Sequence, residues 1–330
     1  MTDVTQRSEI LFLYDVTDAN PNGDPLDENK PRIDEETNRN IVTDVRLKRT
    51  VRDYLASKPG VEIFVLGERK ENGDLKTKEE RLAGFGGSAE DLLKRCVDLR
   101  LFGATIAIKK DPATSEERRL TFTGPVQFKL GRSLHRVDLT FIKGTTVMPS
   151  GEKRAQGTMT EEYRLPYSLI AFYGVVNENA ARLNQQVPLR EDIRLTEEDI
   201  DLLLEGLWHG TANLISRSKF GQRPRLLLRV RYHRGYQGYV GELDHRLRHE
   251  LAGVERDEAV RDVSQLRLDL TGLLEALGSA SDHIESVGVR WDPRLALAVK
   301  REPVSDLAEA VRVFLPRATV STIRFQGETV

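Results

Sequence analysis

Residues 168–176 read SLIAFYGVV, and residues 10–16 read ILFLYDV. Both are short, almost unbroken apolar runs of strand length, the pattern of strands buried on both faces. A third strand-like run, RLLLRVRYHR at 225–234, alternates. Leu226, Leu228, Val230 and Tyr232 take one face, and Arg225, Leu227, Arg229, Arg231 and His233 the other. That is the pattern of a half-exposed edge strand with a cationic face.

Helical patterns lie between these runs. TDVRLKRTVRDYLASK starts at Thr43, a good N-cap, and places Leu47, Val51, Tyr54 and Leu55 on one side. TEEDIDLLLEGLWHGTANLIS opens with Thr196 and Asp199 in capping-box spacing, and Ile200, Leu203, Leu204, Leu207, Leu214 and Ile215 form its apolar face. RLTFTGPVQFKLG at 118–131 reads as a strand with a Gly-Pro break. The order is strand, helix, insertion 61–117, strand, insertion 131–160, strand, helix, strand. This is the split βαββαβ, or ferredoxin-like, order of an α+β protein, with the first and third strands central. The first insertion holds a strand-like VEIFVLGE from Val61 and a helix from Ala89 to about Leu99. Residues 242–330 read as a mixed C-terminal region packing on residues 1–241, with helical patches at 247–277 and 303–315 and a last strand, TVSTIRF.

The 330 residues are 39% hydrophobic and 31% charged, with a net charge of -2. That suits one large domain or two. The charges are segregated. Gly206 to Gly241 has seven Arg or Lys and no acid; Arg118 to Thr160 has eight against Asp138 and Glu152. A basic face on a nearly neutral chain attracts polyanions. The single Cys96 excludes an internal disulfide and a Cys-based zinc site. Without a signal-like start or a run of about 20 apolar residues, the sequence reads as soluble and cytoplasmic, with no membrane span.

The loop after the first strand carries Asp15, Asp18, Asp24, Asp27, Glu28, Asp34, Glu35 and Glu36. Such a run can be a divalent-cation site, a catalytic acid cluster or a shaped connector. EF-hand spacing is absent, and Asn-Pro, Asn-Gly and Asp-Pro are turn dipeptides. There is no G-x-S-x-G elbow and no phosphate-binding G-x-x-x-x-G-K-[ST] loop, and HRLRH at 245–249 lacks the Glu of a zinc-protease helix. No catalytic residue, metal ligand or cofactor is assigned.

The basic residues fall in three patches. Arg46, Lys48, Arg49 and Arg52 line the first helix. GRSLHRVDLTFIKG supplies Arg132, Arg136 and Lys143. SRSKFGQRPRLLLRVR supplies Arg217, Lys219, Arg223, Arg225, Arg229 and Arg231 beside Ser216 and Ser218. Guanidinium forks and hydroxyls bind phosphate oxygens. The aromatic octamer of an ordinary RNA-recognition domain is missing, so tracking of an RNA backbone is expected rather than base stacking on the sheet.

DANPNGDP, NIVTDVRLKR, DLRLFGA, TGPVQFKLGRSLHRV and LPYSLIAFYGVVN, in that order from about 15 to 177, resemble the CRISPR-associated Cas-seven family, the crRNA-binding backbone subunit of type I Cascade interference complexes, closest to the type I-B branch. The resemblance implies a palm of modified RNA-recognition fold, with fingers at 61–117 and a β-hairpin thumb at 131–160. It implies head-to-tail copies along one crRNA, whose bases stay free to pair with target DNA. It also implies partners: a large subunit, a small subunit, a subunit capping the crRNA 5′ end and a crRNA-processing endonuclease. Carried over residue by residue, crRNA contacts would come from Arg46, Lys48 and Arg49, from Arg100 and Phe102, from Lys129, Arg132, Ser133 and Arg136, and from Ser216, Arg217 and Lys219. The acids Asp24 and Asp27 are expected to face a neighbour's basic surface. Two competing readings are a metal-dependent ribonuclease using Asp15, Asp18 or Asp24, and a general RNA-binding protein.

Overall fold

The protein is described by a computed structural model, which covers residues 2–108, 118–145, 159–183, 191–325 and 327–328. The tip of the insertion expected at 131–160 and the end of that at 61–117 lie outside the described residues.

From the N terminus come β1 (Ser8–Ala19), the short strands β2 (Gly23–Asp24), β3 (Lys30–Pro31), β4 (Ile33–Asp34) and β5 (Arg39–Val42), and α1 (Asp44–Leu55). Helices α2 (Lys78–Gly84), α3 (Ala89–Arg95) and α4 (Val97–Phe102) lead into the pair β6 (Gly103–Ile108) and β7 (Arg118–Thr123). Then follow β8 (Val126–Phe128), β9 (Gly131–Ser133), β10 (Thr140–Thr145), β11 (Met159–Val176), α5 (Glu197–Ala212) and β12 (Gln222–Tyr232). The C-terminal region supplies β13 (Arg248–Leu251), β14 (Leu266–Asp269), α6 (Thr271–Ser279), β15 (Ile284–Trp291), β16 (Ala296–Val299), β17 (Glu302–Pro303), α7 (Leu307–Phe314) and β18 (Thr319–Thr322).

The main sheet runs β18-β15-β12-β1-β11-β9-β5-β4, and β8 and β10 also pair with β11. The two apolar runs sit side by side at its centre, with Phe12 opposite Phe172. Both faces of β1 are covered, which is why its sequence does not alternate. Ile10, Phe12, Tyr14 and Val16 pack with Leu47, Val51 and Leu55 of α1 and with Ile200, Leu203 and Leu207 of α5. Leu11 and Leu13 join Leu169 and Leu228 in a second core built with Leu243, Leu268, Leu274, Val287 and Val311 of the C-terminal region. The molecule is therefore layered as helices, sheet and C-terminal region. Over β1, β12 and β15 the sheet face opposite the helices is covered by residues 242 onward, which leaves no platform for stacking bases there.

Several expectations change. β12 is not an edge strand: β15 pairs along it from Leu226 to Tyr232, and β18 extends the sheet further. Its cationic face is partly spent inside the protein, because Arg225 pairs with Asp15 and Asp292 and Arg229 pairs with Glu197. The segment from Val61 is not a strand; the N–H groups of Phe64 and Val65 donate to the Asp98 carboxylate instead of a neighbouring strand. The helix expected from Ala89 breaks at Cys96, whose backbone is extended. The 247–277 stretch is largely short strands and turns, with α6 only at its end.

Candidate nucleic-acid interface

The acidic loop is a clamp around the start of α1. The Asn22 Oδ1 accepts from both the N–H and the hydroxyl of Thr43 at 2.8 Å, and Thr43 caps α1 by accepting from the Arg46 N–H at 3.3 Å. Asn20 donates its N–H to the Ser218 carbonyl (2.7 Å) and its side-chain amide to the Asn29 carbonyl (2.6 Å). The loop thus bolts α1 to the 216–220 turn, where Ser216 is exposed and its carbonyl accepts from the N–H groups of Lys219 and Phe220.

The acids of this loop are mostly engaged within the chain. Asp24 pairs with Arg32 at 2.7 Å and Asp27 with Lys30 at 2.8 Å, and both carboxylates remain partly exposed beside these partners. Asp34 holds Arg132 at 2.8 Å. Asp15 is buried, with Arg225 at 2.7 Å and the Tyr167 hydroxyl at 2.9 Å. Among the described residues no three His, Cys, Asp or Glu side chains gather as metal ligands. Of the three readings of the loop, its contacts are those of a shaped connector.

What the clamp brings together is a pair of half-buried cations. Lys219 reaches back to the Asn20 carbonyl at 3.4 Å, and the Arg46 Nη2 donates to the Thr50 hydroxyl at 3.0 Å. Among the described residues neither forms an ion pair with a carboxylate. Burial lowers the pKa of both, and the charge of Arg46 lowers that of Lys219 further. Two partly desolvated cations without a carboxylate in direct contact favour an anion beside them, although Asp53 acts on Arg46 at longer range. The neighbouring expected contacts are less free. Lys48 is on Asp44 (3.0 Å) and Gln127 (3.2 Å), Arg49 on Asp53 (2.6 Å), and Arg217 on Glu162 (2.5 Å). The Arg49 and Arg217 pairs are at the surface, individually weak and easily exchanged for phosphate, whereas Lys48 is largely buried. Exposed Leu26, Val45, Ile215 and Phe220 lie beside these residues in the chain.

The remaining expected contacts are elsewhere. Arg100 is bound bidentately by Asp199 at 2.6 and 2.9 Å and donates to the carbonyls of Leu93 and Lys94. Phe102 packs in the core between Lys48 and Arg52. Arg100 thus has four of its five N–H donors engaged and Phe102 is buried between two cations, because helix α4 turns both inward. Lys129 and Arg136 face the C-terminal region, near Asp244 (3.8 Å) and Glu258 (3.2 Å), whereas Arg132 pairs with Asp34 of β4. Ser133 is buried; its hydroxyl accepts from the Asn40 N–H and donates to the His135 carbonyl. Beyond the end of β1, strands β10 and β11 continue as a two-stranded projection, anchored by Arg164 on the Asp18 carbonyl and by the Tyr163 hydroxyl on Glu28.

Sequence reading missed Asn22, whose capping role depends on Thr43 twenty-one residues later. It also missed Arg39 and Arg248, single basic residues outside any basic run, which the fold brings to one cleft with Arg132.

Comparison with known proteins agrees with this architecture. The family profile of CRISPR-associated protein Cas7 matches residues 6–271. CRISPR-associated protein Cas7 of Haloferax volcanii is 34% identical over 324 residues, covering 90% of each chain. A solved chain described as "CRISPR RNA-guided surveillance complex, pre-nicking" is similar in fold, with a TM-score of 0.51 at 14% identity, covering 94% of this chain and all of that one. Another, "CRISPR RNA-guided surveillance complex", aligns over 94% of this chain at 16% identity with a TM-score of 0.49. The extent of the family match and the level of identity place the chain in a single family: it belongs to the CRISPR-associated Cas7 proteins.

Proposed function

We propose that the protein is a non-catalytic crRNA-binding backbone subunit of a type I Cascade complex, of the I-B branch. Copies assemble head to tail along one guide RNA and leave spacer bases free to pair with target DNA. In this reading the sheet with α1 and α5 is an RNA-recognition-type palm, 61–117 are its fingers and the β10–β11 projection is the base of its thumb. The large subunit, the small subunit, the 5′-end-capping subunit and the crRNA-processing endonuclease complete the assembly, which works in the cytoplasm. Among the described residues no helix is long and apolar enough to cross a membrane.

The observation that carries the reading is the pair Arg46 and Lys219, held together by the acidic loop without a carboxylate between them. A guide filament must grip RNA of any sequence, so its contacts should fall on phosphates, with sequence read by base pairing. Arg49 and Arg217 supply further cations that exchange a weak internal pair for a phosphate. Heterologous contacts between copies give an open helix rather than a ring, and Leu26, Val45, Ile215 and Phe220 are exposed apolar groups suited to such contacts. The ribonuclease reading has less support, since two of its three candidate acids are paired, Asp15 with Arg225 and Asp24 with Arg32.

The test is purification after co-expression with a CRISPR array, followed by sizing and sequencing of bound RNA, for the natural chain and for Arg46→Ala/Lys219→Ala. A multi-copy particle on a discrete spacer-containing RNA, lost in the variant, is expected. A monomer without RNA, or one carrying random cellular RNA, would overturn the proposal.

A further inference from the structure

A cleft of about 570 Å³ lies between the outer face of the sheet at β9 and β11 and the C-terminal segment 244–249. Its wall brings together Arg39, Arg132 and Arg248 with His245, His249 and Asp244. The local geometry explains the convergence. Ile41 pairs with Arg132 across β5 and β9, so these two side chains share a face, and Arg39, two residues before Ile41, shares it too. Val42 points the other way, into the helix-side core. The opposite wall comes from the segment 244–249, which contributes Arg248 and His249 to the lining.

The charges in the cleft are unevenly satisfied. Arg132 is on Asp34, and His249 is on Asp257 at 2.9 Å. Asp244 is shared between His245 (3.6 Å) and Lys129 (3.8 Å). Arg39 and Arg248 are exposed and, among the described residues, have no carboxylate partner. Two guanidinium groups lining one concave space suit an oxyanion, because planar forks grip phosphate oxygens at two points. The volume is in the range of ligand pockets and larger than one phosphate needs.

The position relative to the first cation pair decides the ligand. β5 and β4 form the edge of the main sheet. Arg39 begins β5, and Thr43, just past its other end, caps the helix that carries Arg46. The strand spans about 13 Å at 3.3 Å per residue. An extended polyanion rounding this edge would meet Arg46 and Lys219 on the helix side and Arg39, Arg132 and Arg248 on the other.

We propose that this cleft is a second phosphate-binding site for single-stranded RNA, whose far wall is supplied by the C-terminal region through Arg248. The proposal rests on the RNA-binding reading above. The C-terminal region, which covers part of the sheet against base stacking, in return provides cations for the RNA backbone.

The experiment is titration of the full chain with a fluorescent single-stranded RNA across a salt series, for three proteins: the natural chain, Arg39→Ala/Arg248→Ala and Arg46→Ala/Lys219→Ala. Each phosphate contact on a single strand contributes about 0.7 to the slope of log affinity against log salt. The Arg39/Arg248 variant should therefore lose about 1.4 in slope and on the order of tenfold in affinity at low salt. Arg39→Lys/Arg248→Lys should recover most of the slope, which separates lost charge from disturbed packing. An unchanged slope in the Arg39/Arg248 variant, with weakened binding in the Arg46/Lys219 variant, would overturn the second site and leave the first reading standing. Unchanged binding in both alanine variants would overturn both.

Discussion

Arg52 of α1 and Asp98 of α4 form an ion pair at 3.0 Å in which the carboxylate is completely buried. The same carboxylate accepts the N–H groups of Phe64 and Val65 at 2.9 and 3.0 Å. One side chain thus ties the helix that carries Arg46 to α4 and to the segment after Pro59. Removing one partner of such a pair strands the other charge away from water. Asp98→Ala should cost about 3–5 kcal/mol of stability. Urea unfolding followed by circular dichroism measures it, and a loss below about 1 kcal/mol would mean that the pair is dispensable.

Arg100 tests the boundary between structure and binding. Its guanidinium is used by the Asp199 carboxylate and two carbonyls, and Asp199 also caps α5 through Thr196. Arg100→Lys keeps the charge but not the fork. It should lower stability by about 1–3 kcal/mol and leave RNA affinity unchanged. Weakened RNA binding at unchanged stability would instead make Arg100 a contact residue.

His135 gives the protein an acid-sensitive joint. The Leu169 N–H donates to Nε2 at 3.2 Å, so the ring proton is on Nδ1, which donates to the Arg136 carbonyl at 2.8 Å. Burial holds its pKa down at about 4, against an ordinary 6.5. Below pH 6.5 the unfolded chain takes up this proton and the folded protein does not. Stability is therefore full above pH 6.5 and falls as the pH drops towards 4, by about 3 kcal/mol from this residue. Denaturation midpoints from pH 7.5 to 4.5 should show this slope, reduced in His135→Gln; an equal slope in the variant would assign it to other groups.

Gly103 and Gly124 interlock at the base of the β6–β7 pair. Gly103 has φ of +76° and ψ near 180°, a conformation kept for glycine, and a Cβ there would lie 2.4 Å from the Gly124 nitrogen and the Phe122 carbonyl oxygen. A Cβ on Gly124 would meet the Phe102 carbonyl carbon at 2.2 Å. Backbone cannot yield as a side chain can. Either Gly→Ala change should cost on the order of 3 kcal/mol, read by thermal unfolding. A melting temperature equal to that of the natural chain would show that the two segments can separate freely.

Local periodicity is what the amino-acid order records directly. The runs at 10–16 and 168–176 are the paired centre of the sheet, and the patterns from Thr43 and Thr196 became α1 and α5 with Thr43 and Thr196 as caps. The amino-acid order also marked which segments are basic, and it carried the motifs of the family. Tertiary structure alone decided how each charge is used. Arg100 and Asp199 are ninety-nine residues apart, Arg225 closes on Asp15 across the sheet, and no local pattern distinguishes these arginines from Arg46. The same holds for strand placement: β12 alternates like an edge strand yet is covered by β15, which arrives from the C-terminal region. Periodicity reports how a residue faces its own element, whereas ion pairing and strand pairing depend on what distant chain the fold delivers to that face.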